Sequence, residues 1–311
     1  MHILIIGAAG MVGQRLTRAL VSAGELRGTE ITAMTLVDMT APAIPAAAMP
    51  VASLAADLSL PGSAETLMAT RPDLIFHLAA VVSGEAEADF DKGYSVNLDG
   101  TLHLLEAIRE EGTRARYCPR LVFTSSIAVF GEPLPPAIPD DMAHTPLTSY
   151  GTQKAICELL LNDYSRKGFV DGVGIRLPTI VIRPGKPNAA ASGFFSNILR
   201  EPLSGQEAVL PVPRGVRHWF ASPRAAIGFL IHAAELDTAQ LGWRRSLSAP
   251  GLSATVGEEI EALRRVAGDK AVKLIHEVPD ARIIAMVDGW PQNFSARRAE
   301  SLGFRAEKDF D

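Results

Sequence analysis

The chain opens Met1-His2-Ile3-Leu4-Ile5-Ile6-Gly7-Ala8-Ala9-Gly10-Met11-Val12-Gly13, and this stretch decides the fold. A short apolar run closed by glycine reads as a buried strand. Glycines at 7, 10 and 13 permit a tight turn, close approach of the backbone to a pyrophosphate, and tight packing of the next helix on the strand. Helical spacing then runs over Met11–Ala23, and N–H groups at a helix start favour phosphates. Glycine-rich turns are common. This one lies between a strand and a helix, the context a dinucleotide site at Gly7, Gly10, Met11, Val12 and Gly13 requires.

Working outward, the first half alternates short apolar runs with amphipathic stretches. Ile3–Ile6, Ile31–Val37, Leu74–His77, Leu121–Thr124 and Gly174–Leu177 read as strands. Met11–Ala23, Thr101–Glu111 and Tyr150–Arg166 read as helices between them. Such alternation implies α/β architecture, a doubly wound parallel sheet of Rossmann type. Composition shifts after Pro178 toward Pro, Gly, Ala and Ser, with one helix expected near Phe194–Arg200. The expected division is a cofactor-binding domain over 1–178 and a smaller α/β substrate lobe over 179–311. An apolar helix at Arg224–Ala234, within 222–240, is expected to pack back on the first domain. Thr255–Val266 and Ser295–Leu302 read as short surface helices of the lobe.

The bulk numbers narrow the function classes. In 311 residues, 47% are hydrophobic and 21% charged, enough for a large core. A net charge of −5 and the lack of a basic run argue against a nucleic-acid partner. No apolar run reaches the ~18 residues of a membrane span, and the short N-terminal apolar run lacks a basic leader. A soluble, cytoplasmic protein is expected. Cys118 and Cys157 lie far apart without a CxxC pattern, and both are expected to be buried and inert. No metal site is expected, because no cluster shows ligand spacing.

Asp38 follows the second strand, 25 residues after Gly13. An acid there can accept hydrogen bonds from the adenosine ribose and would repel a 2′-phosphate, so NAD is expected over NADP. Asp38 can equally be a turn residue. Asp57, beside Leu58, reads either as an acceptor for the adenine amino group or as a helix cap. His77-Leu78-Ala79-Ala80 ends the Leu74–His77 strand, where small residues let the backbone lie against the cofactor. His77 itself reads as a satisfied, partly buried histidine.

Tyr150 and Lys154 are four apart in Ser149-Tyr150-Gly151-Thr152-Gln153-Lys154, which stacks them on one helix face. A phenol titrates near ~10 and is a poor base at neutrality. A neighbouring ammonium lowers that value and makes Tyr150 a usable general base. The Ser126 hydroxyl, at the end of the strand before, can hold the same substrate oxygen. Tyr-x-x-x-Lys alone arises by chance in many helices; with the glycine loop it points to alcohol–ketone redox chemistry.

These residues together resemble an extended short-chain dehydrogenase/reductase, the NAD-dependent epimerase/dehydratase family, over nearly the whole length. Asn97 in Tyr94-Ser95-Val96-Asn97-Leu98-Asp99-Gly100-Thr101 and the string Ser125-Ser126-Ile127-Ala128-Val129-Phe130-Gly131 carry the likeness further. The resemblance implies catalytic Ser126, Tyr150 and Lys154, with Lys154 on the nicotinamide ribose. It places Ser125, Asn97 and Pro178 against NAD and implies a homodimer. The chain departs from the pattern at Ile6, Phe130, Thr179 and Arg224, and the last two disfavour a nucleotide-sugar substrate. Pro146–Lys154, Arg176–Gly185 and Gly193-Phe194-Phe195 resemble a branch that oxidises the C2 hydroxyl of a four-carbon sugar acid. Such an acid needs paired donors for its carboxylate. Arg183, Lys186, Asn188 and Arg217 are the candidates, with Thr179, Ser192 and Ser126 for hydroxyls; for each, a surface role is the alternative. His218 and Trp219 read as structural. The rival functions are a nucleotide-sugar epimerase or dehydratase that retains its NAD, and a non-enzymatic cofactor sensor, which the Tyr–Lys pair disfavours.

Overall fold

The computed structural model describes residues 1–185 and 192–310. Seven strands form one sheet: β1 (His2–Ile6), β2 (Ala33–Asp38), β3 (Val51–Ala55), β4 (Leu74–His77), β5 (Arg120–Ser126), β6 (Asp171–Leu177) and β7 (Ser246–Ser248). Their spatial order is β3-β2-β1-β4-β5-β6-β7, with every neighbouring pair parallel. The doubly wound sheet is therefore present.

Strand alternation divides the core. Ile3 and Ile5 of β1 join Leu16 and Leu20 of helix α1 (Met11–Ala23) on one face. Leu4 and Ile6 point to the other face, toward Leu104 and Ile108 of α2 (Gly100–Arg114) and Cys157 and Leu161 of α3 (Ser149–Arg166). Each such buried side chain contributes about 1.5–3 kcal/mol of transfer free energy, so β1 is fixed from both sides. The order reverses between β1 and β4, and the crevice there lies at the carboxyl ends of the strands, the general location of ligands in such sheets.

After β6 the chain enters a lobe. Thr179–Ile180 pairs in parallel with Arg217–Ala221, which pairs antiparallel with Leu252–Thr255. Helices α4 (Gly193–Leu203) and α6 (Val256–Val272) cover a core of Phe195, Ile198, Phe220, Ile260 and Leu263. Between them α5 (Pro223–Glu235) returns to the large sheet, with Phe229 and Leu230 in the same core as Ile3 and Ile5.

Three expectations need correcting. The element read as a short surface helix over Thr255–Val266 is α6, which buries Val256, Ile260 and Leu263; it starts on a capping box between Thr255 and Glu258. Arg297–Ser301, read as part of the lobe, packs Ala299 into the core of the large sheet together with Phe304. Cys118 is exposed, because it lies on the loop before β5, whereas Cys157 is buried under α2. The strand β7 carries no local sequence signal.

Candidate active site

The glycine turn is built by contact. Gly7 has φ +91°, and a Cβ on it would lie 2.6 Å from the Ala79 nitrogen. A Cβ on Gly13 would lie 2.2 Å from the Gly7 carbonyl oxygen. Only glycine satisfies both positions. Gly10 caps α1 without a side-chain hydrogen bond, leaving the first-turn N–H groups available to an anion. Leu78 and Ala79 both donate backbone N–H to the Ile6 carbonyl, at 2.8 and 3.1 Å, which holds the end of β4 against the turn.

Asp38 is the last residue of β2. Its Oδ2 accepts from the Ala9 N–H at 2.9 Å and its Oδ1 from the Met39 N–H at 2.8 Å. A carboxylate has about four acceptor sites, so both oxygens keep capacity for hydroxyl donors. Asp57 Oδ1 is engaged by the Ser59 N–H and hydroxyl, at 2.9 and 2.7 Å, in a local turn. Leu58 is buried beneath Gly100.

Asn97 is 1% exposed. It accepts from the Val81 N–H at 2.8 Å and donates to the Val81 carbonyl and to Gln153 Oε1, at 3.1 and 2.7 Å. Asn97 thus holds the chain beyond Ala80 from behind. His77 is equally buried. The Thr101 hydroxyl donates to the Asn97 carbonyl, so the 2.9 Å contact between Thr101 and His77 Nε2 has His77 as donor. Burial, aided by the Lys154 charge, lowers the His77 pKa to about 3, and the ring is neutral.

Two adjoining cavities meet at Ser126, Tyr150 and Thr179. The first, about 270 Å³, runs from Met11 and Val12 past Leu78 and Ala80 to Ser125 and Pro178. Lys154, Arg183 and Ser192 also border it. The second, about 160 Å³, is walled by Phe130, Leu147, His218, Met286 and Trp290.

Lys154 is 2% exposed, donates to the Thr124 carbonyl at 2.9 Å, and stands 5.8 Å from the Tyr150 ring centroid. Burial lowers its pKa to about 8, against the charges of Cys157 and Glu158. The Tyr150 phenol is raised by burial; the Ser126 hydroxyl and the Arg183 guanidinium oppose that rise. The sequence assigned this opposing role to Lys154. Its ammonium is held at the Thr124 carbonyl, 5.8 Å from the Tyr150 ring centroid, and Arg183 is a second cation that opposes the rise. Ser126 Oγ also accepts from the Ala128 N–H at 3.1 Å, which orients the hydroxyl beside the phenol.

Arg183 donates through Nε to the Ile180 carbonyl at 3.0 Å and through Nη2 to Ser192 Oγ at 2.6 Å. Among the described residues it has no carboxylate partner. Thr179 shares a 2.7 Å hydrogen bond with His218 Nε2, and His218 stacks on Phe195 at 5.0 Å. Arg217 borders neither cavity, since it turns outward to the Ser253 carbonyl at 2.9 Å and Glu258 at 3.5 Å. Lys186 and Asn188 lie outside the described residues. Arg224 is exposed and pairs with Glu307 at 3.3 Å.

A glycine turn with no room for side chains, an acid at the end of β2, and a Ser–Tyr–Lys set beside the crevice fit a nicotinamide dinucleotide. Residues 3–220 match the model of the NAD dependent epimerase/dehydratase family. The chain belongs to that family. D-erythronate dehydrogenase of Cupriavidus necator is 49% identical over 316 residues, covering 100% of this chain and 96% of that one. The D-erythronate dehydrogenase of Haemophilus influenzae is 41% identical over 310 residues, with the same coverage. The crystal structure of the nucleoside-diphosphate-sugar epimerase from Agrobacterium tumefaciens superposes with a TM-score of 0.97 at 66% identity, covering 100% of this chain and 91% of that chain.

This epimerase/dehydratase family member also holds groups that the sequence did not disclose. Glu158, Arg176 and His144 form a buried cluster behind Ser125. Glu158 had one available signal, an acid four residues beyond Lys154 on the same face of α3. Met286 and Trp290 had none, because they reach the pocket from the far end of the chain.

Proposed function

We propose that this chain is an NAD-dependent dehydrogenase that oxidises the C2 hydroxyl of a small sugar acid, D-erythronate, to 2-oxo-tetronate. The observation that carries this reading is Arg183, a half-buried guanidinium without an acidic partner among the described residues, bordering the cavity that holds Tyr150. A fork of this kind matches a carboxylate geometrically. With Ser192 it would hold the substrate acid so that C2 stands beside Ser126 and Tyr150. The full-length likeness to two D-erythronate dehydrogenases supports the same substrate.

Tyr150 would take the C2 hydroxyl proton as general base. Ser126 would hydrogen-bond the oxygen as it becomes a carbonyl, and Arg183 would draw the phenol toward ionisation. NAD held along the glycine turn, Asp38 and Lys154 would supply the hydride acceptor for C2. Asp38 supports NAD over NADP, because its carboxylate would meet a 2′-phosphate. Exposed Phe90 and Leu159, near and on α3, support a homodimer.

The likeness to the Agrobacterium structure favours a second reading, a nucleotide-sugar epimerase. Absorbance of NADH with purified protein, NAD, four-carbon sugar acids and UDP- or GDP-sugars separates the two. The dehydrogenase reading expects net NADH with D-erythronate, and loss of turnover but retained NAD binding in Tyr150→Phe. Consumption of a nucleotide sugar without net NADH, and no response to any acid, overturns it.

A further inference from the structure

Tyr150, Lys154 and Glu158 occupy positions i, i+4 and i+8 of α3, so the acid continues the face that carries the proposed base and its lysine. Glu158 is 1% exposed, and its carboxylate is fully engaged. Oε1 accepts from the Ser125 hydroxyl at 2.5 Å and from Arg176 Nε at 2.9 Å. Oε2 accepts from Arg176 Nη2 at 2.7 Å and lies 3.2 Å from His144 Nε2. These partners come from three further places: the end of β5, the end of β6, and the loop that leads into α3. Arg176 in turn stands 5.0 Å over the ring of Phe130, a wall of the smaller cavity. One carboxylate therefore ties the strand end bearing Ser126 to the helix bearing Tyr150 and Lys154.

We propose that Glu158 is a positioning residue for the reaction: through Ser125, Arg176 and His144 it fixes Ser126 against Tyr150, and its charge holds Lys154 as an ammonium. The inference rests on the Ser–Tyr–Lys chemistry proposed above and adds a residue that touches neither substrate nor cofactor. The titratable and charged groups facing Lys154 and Glu158 are Tyr150 and Cys157 from α3, His77 from β4, Arg176 from β6, and His144 from the preceding loop. His77 is neutral and buried. Cys157 and, after it, Glu158 raise the Lys154 pKa against the effect of burial, and of the two Glu158 is the carboxylate, four residues along the same helix face.

Two variants separate geometry from charge. Glu158→Gln keeps an acceptor and loses the charge. Lys154 should then lose its proton at lower pH, so the alkaline limb of the kcat profile moves to lower pH. kcat should fall by about tenfold to a hundredfold, the scale of a misplaced reacting group, with KM for the sugar acid and the Kd for NAD little changed. Ser125→Ala removes the tie to β5; because Ser125 also borders the cofactor cavity, the Kd for NAD is measured and kcat is read at saturating NAD, where it should fall by several-fold while the alkaline limb stays in place. Thermal unfolding of each variant corrects the rates for the folded fraction. A Glu158→Gln profile that overlays the parent after that correction, or a Ser125→Ala protein with parental kcat, overturns the proposal. If the parent reduces no NAD with sugar acids but converts a nucleotide sugar, the substrate reading has failed; the same variants measured on that conversion still test the positioning role.

Discussion

Two buried glutamates, one in each half of the molecule, show what burial alone does and what partners add. Glu158, beside the large sheet, is 1% exposed; Glu259, on α6 in the lobe, is 0% exposed. Burial opposes ionisation of both. At Glu158 the Arg176 and His144 groups outweigh it and hold the carboxyl down to about 2. Neither oxygen of Glu259 has a hydrogen-bond partner among the described residues, and burial pushes its pKa well above the ordinary carboxylate value. The first acid is a charge locked into a network beside the reaction site. The second is a neutral group tolerated in an apolar lobe.

The largest effect that sharpens this contrast is Glu158→Leu. It leaves the Arg176 cation buried without its partner and should cost about 3–5 kcal/mol, read by urea unfolding at pH 7. A loss near zero would mean that the network adds nothing to stability and would break the comparison. Acid unfolding of the parent comes next. The folded pKa of Glu158 is depressed from 4.5 to about 2, so its contribution is complete above 4.5 and disappears as pH falls toward 2. At about 1.4 kcal/mol per pH unit, the contribution lost is roughly 3 kcal/mol. Glu158→Gln should flatten the stability curve across that window, and an unchanged slope would assign the acid sensitivity elsewhere. The smallest effect has the opposite sign. In the unfolded chain Glu259 ionises above about 4.5, while in the folded chain it stays protonated, so stability is lost as pH rises from there toward the folded value. Glu259→Gln should match the parent near pH 4 and be the more stable of the two at pH 7. A variant weaker than the parent at pH 7 would reveal a partner for Glu259.

The same division governs how far the chain could be read. The glycine turn, Asp38, and the Tyr150–Lys154 pair depend on spacing within one strand–turn–helix or one helix, and local spacing is visible in a sequence. Met11–Ala23 was delimited as it stands in the structure. The Glu158 cluster brings in residues 14 to 33 positions from Glu158, and nothing near any one of them announces the others. Arg217 shows the converse error. It is a basic residue in the divergent segment, but the pairing of its strand with Leu252–Thr255 turns it toward Ser253 and Glu258. The action of Arg183 on the phenol is not legible for a related reason, since it reaches Tyr150 from the segment after β6, 33 positions further along the chain.

The last strand of the large sheet has a consequence for synthesis. β7 is Ser246–Ser248, and Ala299 and Phe304 enter the same core from still later in the chain. A ribosome that has released only the first 178 residues has therefore delivered a sheet with an unpaired edge at β6, and exposed strand edges invite pairing with other chains. The nascent chain must carry that open edge until the lobe has been made and the chain has crossed back. Premature termination anywhere in the lobe should leave an aggregating fragment rather than a working cofactor-binding half.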